Sequence, residues 1–251
     1  MPAYFASDVH LRIDRPERGR RFARWVRELT PDDTLVIVGD LCDFWFASRQ
    51  LSSDLPACTG LQALANFRSR GGALTILPGN HDAWLGPFYE TMLGADFIAD
   101  SLDVEAYGLR VHLVHGHRLG SGRRWKAWME SRAFQDAFGR IPSPMAHGLD
   151  WLLERNNERN RDEADRRHLA LYREYASSLA RTTDIAVMGH VHIPVDDATA
   201  RPRMIILGGW HHQSSFLRVD ASGATLIVRP DHGPDGAVSP PASDTSLHSR
   251  A

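Results

Sequence analysis

Five short segments, far apart along the chain, carry side chains suited to a hard or borderline metal cation. They are Asp8-Val9-His10, Gly39-Asp40, Gly79-Asn80-His81-Asp82, His115-Gly116-His117 and Gly189-His190-Val191-His192. Each follows an apolar run that reads as a buried strand. One Asp-x-His or His-x-His alone is weak and usually structural. Five in order, each at a strand end, describe one site assembled at one edge of a sheet. Imidazole is the commonest metal ligand, and six of the chain's 13 histidines lie in these segments.

Side chains i and i+2 of a strand point the same way. Asp8 and His10 are therefore expected to address one ion, and His190 and His192 to reach the same cluster from another strand. The Asp40 carboxylate has two oxygens and can bridge two ions. Asn80 offers a neutral carbonyl oxygen and His115 an imidazole. The expected ligands are Asp8, His10, Asp40, Asn80, His115, His190 and His192. With Asp40 shared, these seven give four per ion and leave positions open for water and substrate, as catalytic sites do. Nitrogen and oxygen donors without thiolate favour Mn, Fe or Zn over Mg or Ca. Two divalent ions are expected, with manganese placed first. Ions about 3.5–4 Å apart can hold a hydroxide and clamp both oxygens of an in-line displacement. The natural substrate is a phosphate ester or anhydride.

His81 follows a ligand directly and is expected to face substrate. There it can protonate a leaving oxygen or donate a hydrogen bond to the phosphoryl group. Asp82 is expected to hold its ring in one orientation. His117 is expected either to contact substrate or to support a ligand from behind. His112, alternating with Val111 and Leu113, reads as no ligand, and His211-His212 read as loop histidines. Cys42 reads as a small buried filler. Cys42 and Cys58 are too few for a disulfide framework and suit reduced thiols in a cytosolic protein.

The elements that must position these residues follow from the apolar runs. Strands are expected at Ala3–Ser7, Leu35–Val38, Leu74–Leu77, Arg110–Val114, Ile185–Met188, Met204–Leu207, Ser215–Val219 and Thr225–Val228. Most lack strict alternation, as strands covered on both faces do. Phe22, Trp25, Val26 and Leu29 have helix spacing, as do Leu61, Leu64, Ala65 and Phe67. Strand alternating with helix predicts an α/β fold. The late strands have no helices between them and are expected to pair antiparallel and close a second sheet.

From 120 to 181 the spacing is helical, with 12 Lys/Arg against 9 Asp/Glu in a chain of net charge -2. A helical insertion between the fourth and fifth segments would stand over the site as a lid. Residues 1–230 form the expected domain, and the Pro-, Gly- and Ser-rich stretch 231–251 is expected to be a disordered tail. Hydrophobic content of 43% and charged content of 24% suit a soluble globular protein. No signal peptide is expected, and no window approaches the roughly 20 apolar residues of a membrane span.

The ordered motifs resemble those of the calcineurin-like metallophosphoesterase superfamily, from Asp8 to His192. That resemblance implies two packed mixed β-sheets flanked by helices, around a dinuclear metal site. It implies that Asp8, His10, Asp40 and His192 bind one ion, and Asp40, Asn80, His115 and His190 the other. Two further stretches, Gly39-Asp40-Leu41-Cys42-Asp43-Phe44-Trp45 and Leu207-Gly208-Gly209-Trp210-His211, look like those of the UDP-2,3-diacylglucosamine hydrolases of lipid A biosynthesis. A helical insertion after the His-Gly segment is also typical of that group. This implies cleavage of the pyrophosphate of UDP-2,3-diacylglucosamine to UMP and 2,3-diacylglucosamine 1-phosphate. Arg123, Arg124, Arg159, Arg166 and Arg167 are then candidate phosphate contacts.

The expected partner is a nucleotide-linked glycolipid or another small phosphoanhydride, with neither nucleic acid nor a protein partner. The net charge gives no pull toward a nucleic-acid backbone. A cytoplasmic location follows, with peripheral contact at the inner membrane if the substrate is a lipid. The alternatives are the same chemistry on a dinucleoside polyphosphate or a phosphodiester, and a binding module that no longer catalyses.

Overall fold

A computed structural model describes residues 1–12, 15–43, 58–83, 85–119, 161–211 and 213–230, with isolated positions at 131, 133 and 137. Side chains of helix residues 161–166 are outside the description. Most of the expected lid and all of the expected tail therefore lie outside the described residues.

Two mixed sheets pack face to face. The first contains β1 (Ala3–Ala6), β2 (Thr34–Val38), β3 (Ala73–Leu77), β4 (Asp96–Phe97), β10 (Gln213–Asp220) and β11 (Gly223–Pro230), in the order β11-β10-β1-β2-β3-β4. The second contains β5 (Ser101–Ala106), β6 (Leu109–Val114), β7 (Ile185–Met188), β8 (Val195–Asp197) and β9 (Arg203–Ile206), in the order β5-β6-β7-β9-β8. Helices α1 (Pro16–Glu28) and α2 (Thr59–Ser69) cover the first sheet, and α3 (Arg161–Ser178) the second.

Alternate side chains serve the two faces of each strand. Phe5, Val36, Val38 and Leu77 meet Val111, Leu113, Val187 and Ile205 between the sheets. Leu35, Ile37 and Ile76 face the other way, onto Phe22, Trp25, Leu61 and Phe67 of the helices. Ala186, Met188, Met204 and Ile206 pack against Tyr172 and Ala176 of α3. Double burial explains why these strands read as unbroken apolar runs.

All eight expected strands are present, within one or two residues of their expected ends. The pairing of the late ones differs from expectation. β10 and β11 are antiparallel but extend the first sheet through β1. β9 runs parallel to β7 and antiparallel to the short β8. Among the described residues no helix is long and apolar enough to cross a membrane.

What matters for chemistry is direction. β1, β2 and β3 are parallel neighbours in one sheet, and β6, β7 and β9 in the other. The carboxyl end of an open α/β sheet is where ligands gather. All five motifs leave such ends, after Ala6, Val38, Leu77, Val114 and Met188.

Candidate metal centre

The expected ligands meet at that edge. Nε2 of His10 lies 3.3 Å from Nε2 of His192, and His192 Nε2 lies 3.4 Å from Asp8 Oδ1. Asp40 Oδ2 stands 3.8 Å from His10 Nε2 and 3.3 Å from His115 Nε2. The donor atoms of Asp8, His10 and His192 fall within 4.8 Å of one another, and so do those of Asp40, His115 and His190. Asp40 thus links two adjoining groups through one oxygen. His190 and His192 both reach the cluster but join different groups of it. They lie beyond β7, so the two-residue period does not govern them.

Backbone and side-chain hydrogen bonds aim each donor. The His190 N–H donates to Asp8 Oδ2 at 2.9 Å, and the Ser7 hydroxyl donates to the same oxygen. Ser7 also reaches the Val38 carbonyl at 2.8 Å. That leaves Asp8 Oδ1 for the cluster. Asp40 is divided in the same way, since Oδ1 accepts the His81 N–H at 2.9 Å while Oδ2 faces the histidines. His115 Nδ1–H donates to the Val38 carbonyl at 2.8 Å, which leaves Nε2 as the ring atom facing Asp40.

Asp8, His10, Asp40 and His190 all adopt left-handed backbone conformations, with φ of 52°, 49°, 52° and 65°. Such non-glycine positions cost on the order of 1–3 kcal/mol each and cluster at functional sites. Asp8 Oδ1, Asn80 Oδ1 and His115 Nε2 are buried without a hydrogen-bond partner among the described residues. Buried polar atoms normally have partners. Several converging lone pairs with none between them fit a cation, and these His/Asp groups are able to bind divalent metal ions.

The charges agree. Burial opposes protonation of His115, but Asp40 and Asp8 outweigh it and raise its pKa to about 10. Burial likewise opposes a proton on His81, yet Asp40 and Asp43 lift it to about 9. Burial resists ionisation of Asp40, but His115 and His81 hold its carboxyl well below the usual range. His10 and His190, where burial prevails, are pushed well below the ordinary imidazole value.

Asp82 does not hold the His81 ring. Its carboxylate is fully buried and accepts N–H bonds from Gly79 at 2.8 Å, Leu41 at 2.8 Å, and Asp40 and Cys42 at 3.3 Å each. Tyr89 adds its hydroxyl at 2.8 Å. These bonds clamp the loop after β2 to the loop after β3, and burial with Asp40 raises the Asp82 pKa to about 6. The carboxylate beside His81 is that of Asp43, 3.8 Å from Nδ1. Asp43 escaped sequence reasoning, although it stands three residues after Asp40 in a loop already singled out.

Other placements vary. His117 is buried against His115 and His190, with ring centroids 5.2 and 6.3 Å away. His112 is a structural histidine, bonded to Asp103 at 2.7 Å and to the Tyr175 hydroxyl at 2.8 Å. Cys42 is buried and its thiol is pushed well above the ordinary range by burial. Arg167 is exposed on α3. The side chain of Arg166, and all of Arg123, Arg124 and Arg159, lie outside the described residues. Two histidines beside the centre were not expected there. His168 of α3 lies 5.0 Å from the His190 ring, and His211 lies 4.8 Å from the His192 ring.

The family model for calcineurin-like phosphoesterases matches residues 1–228. The chain belongs to that family. It is a metal-dependent hydrolase of the phosphoesterase class. A protein of Stenotrophomonas maltophilia strain K279a named UDP-2,3-diacylglucosamine hydrolase is 30% identical over 246 residues, covering 90% of this chain and 98% of its own. One of the same name from Vibrio cholerae strain O395 is 27% identical over 252 residues, covering 92% and 98%. Among solved structures, an archaeal phosphodiesterase aligns at 14% identity with a TM-score of 0.47, over 91% of this chain and 99% of that one.

Proposed function

We propose that the protein hydrolyses UDP-2,3-diacylglucosamine at its pyrophosphate, releasing UMP and 2,3-diacylglucosamine 1-phosphate. The position of Asp40 Oδ2, between His10 Nε2 and His115 Nε2, carries the two-ion reading. The substrate is supported by relatives of that name aligned over 90–92% of this chain.

In this reading Asp8, His10, Asp40 and His192 would hold one ion, and Asp40, Asn80, His115 and His190 would hold the other. Manganese suits these donors. When bound, such a pair supplies an activated water and neutralises charge on the phosphoryl oxygens. Asp40 ties the two halves together. Asp8 and His115, fixed by backbone partners, keep their donors aimed without reorganisation. His81, beside Asp43, would donate to the leaving oxygen or to the phosphoryl group. Asp43 orients it through Nδ1 and leaves Nε2 for substrate.

A lipid-linked substrate implies contact with the cytoplasmic face of the inner membrane. Basic residues of the 120–181 segment would contribute on the order of 1 kcal/mol each near an anionic leaflet. Co-sedimentation with anionic vesicles tests that contact, and full recovery in the supernatant would count against it.

The deciding experiment is product analysis with added manganese on a UDP-diacylglucosamine, a dinucleoside polyphosphate and an aryl phosphodiester. UMP and the lipid phosphate are the expected products, formed fastest. Preference for either of the other two substrates would sink the lipid assignment.

A further inference from the structure

A sixth loop arrives at the same sheet edge. It leaves β9, the third parallel strand of the second sheet, and carries Gly208-Gly209-Trp210-His211. Trp210 is fully buried against Phe22 and Trp25. The ring of His211 lies beside the metal centre instead. Its centroid is 4.8 Å from that of His192, tilted by 33°, and 5.6 Å from that of His10. These are the two histidines whose Nε2 atoms converge. Gly209 permits the approach, since a Cβ there would stand 3.1 Å from both His211 Nδ1 and His192 Cβ.

This loop is tied down on three sides. The Gly209 N–H donates to the His192 carbonyl at 3.0 Å, and the Trp210 N–H to the Asp8 carbonyl at 3.2 Å. The buried guanidinium of Arg21, on α1, donates to the carbonyls of Trp210 at 2.7 Å and His211 at 3.2 Å. The backbone of His211 is thus anchored to both ligand-bearing loops of the first group, and to the helix layer. Its side chain stays partly exposed while His10 beside it is buried. His81 flanks the same His10 ring at 4.8 Å. A polar side chain held this firmly at the rim of a metal centre is arranged in advance for a ligand. Beside cation-binding groups, that ligand is an anionic oxygen.

We propose that His211 binds substrate, donating a hydrogen bond to a phosphate oxygen on the Asp8–His10–His192 side. The inference rests on the phosphoesterase reading of the site and not on the lipid part of the substrate.

Inorganic phosphate is the probe, titrated calorimetrically into the manganese-loaded full chain, with manganese content measured in parallel. His211→Ala is expected to bind phosphate about tenfold more weakly or worse, as loss of a hydrogen bond to a charged group predicts. Its manganese content should match wild type. His211→Gln, whose carboxamide can donate, should recover most of the affinity. Unchanged phosphate affinity in His211→Ala would overturn the proposal. Loss of manganese from that variant would overturn it too, by making His211 a support for the metal. If the alanine variant does not fold, His211→Leu keeps the bulk, removes the donor and carries the same outcomes. A wild-type protein that binds phosphate but spares UDP-2,3-diacylglucosamine would sink the substrate reading and leave this one standing.

Discussion

The carboxylate of Asp43 stands 3.8 Å from Nδ1 of His81 and 3.5 Å from the guanidinium of Arg12. Burial resists its ionisation, but His81 overrides burial, with help from His10 and Arg12. Asp43 therefore stays charged beside the imidazole expected to donate a proton or hydrogen bond. His81→Ala should lower kcat by about 10²–10⁴-fold, the range for a lost general acid. Asp43→Asn should lower kcat in the same direction by less, because the donor remains while its orientation and one of the charges that raise its pKa are lost. Both should keep wild-type manganese. Steady-state kinetics alongside elemental analysis checks this, and a kcat for Asp43→Asn equal to wild type would return the orienting role to another residue.

Asp40 and Asp8 differ in reach. Asp40 Oδ2 serves both donor groups, whereas Asp8 Oδ1 faces His10 and His192 alone. Asp40→Ala should therefore abolish activity and weaken both ions. Asp8→Ala should leave one ion per chain bound near wild-type strength. Equilibrium dialysis against manganese distinguishes them. Identical stoichiometries in the two variants would argue against a bridging Asp40.

Much of this centre was legible because donors and strands announce themselves together. An apolar run ending in Gly-Asp or Gly-His marks a strand end with a polar tip, and both sheets put such tips at one edge. Which histidine joins which group was not legible from periodicity. Asp8, His10, Asp40 and His190 have left-handed φ values, and alternation holds only inside a strand. The role of Asp82 was misread for a related reason. Sequence adjacency to His81 suggested contact, but the Asp82 side chain turns inward to five donors on other parts of the chain.

The missed strands are also instructive. β4 and β8 have only 2 and 3 residues, and β5 alternates exposed with half-buried positions along Ser-Leu-Asp-Val-Glu-Ala. Their signal is weak because edge strands bury little. His168 and His211 belong to a helix and to a loop without a metal motif, so only the fold brings them to the centre.

Gly189 is a point where packing and chemistry coincide. A Cβ there would collide with the Ser7 hydroxyl and stand 2.9 Å from both Asp8 Oδ2 and His115 Nδ1. Gly189→Ala should thus push apart the first and second groups and destabilise the protein by about 1–3 kcal/mol, the usual cost of overpacking. Chemical denaturation gives the stability, and manganese titration gives the site. A variant with wild-type midpoint and wild-type affinity would show that the loop yields freely.

Stability of the metal-free protein should pass through a maximum near pH 6.5. His81 and His115 have folded pKa values raised to about 9 and about 10, above the ordinary 6.5. Their contribution is complete below the unfolded value and is lost as pH rises through the folded ones. His10 and His190 are depressed, so the folded state holds fewer protons than the unfolded chain. Their contribution is present above 6.5 and is lost as pH falls toward their folded values. The two pairs oppose each other, and the balance changes sign at the ordinary imidazole value. Manganese should displace the proton from His115 and flatten the alkaline side, with apparent affinity rising with pH until that proton is released. Thermal melts of chelator-treated and manganese-loaded protein from pH 5 to about 10 test this. A metal-free protein whose melting temperature climbs steadily to pH 9 would contradict the charge arrangement around Asp40.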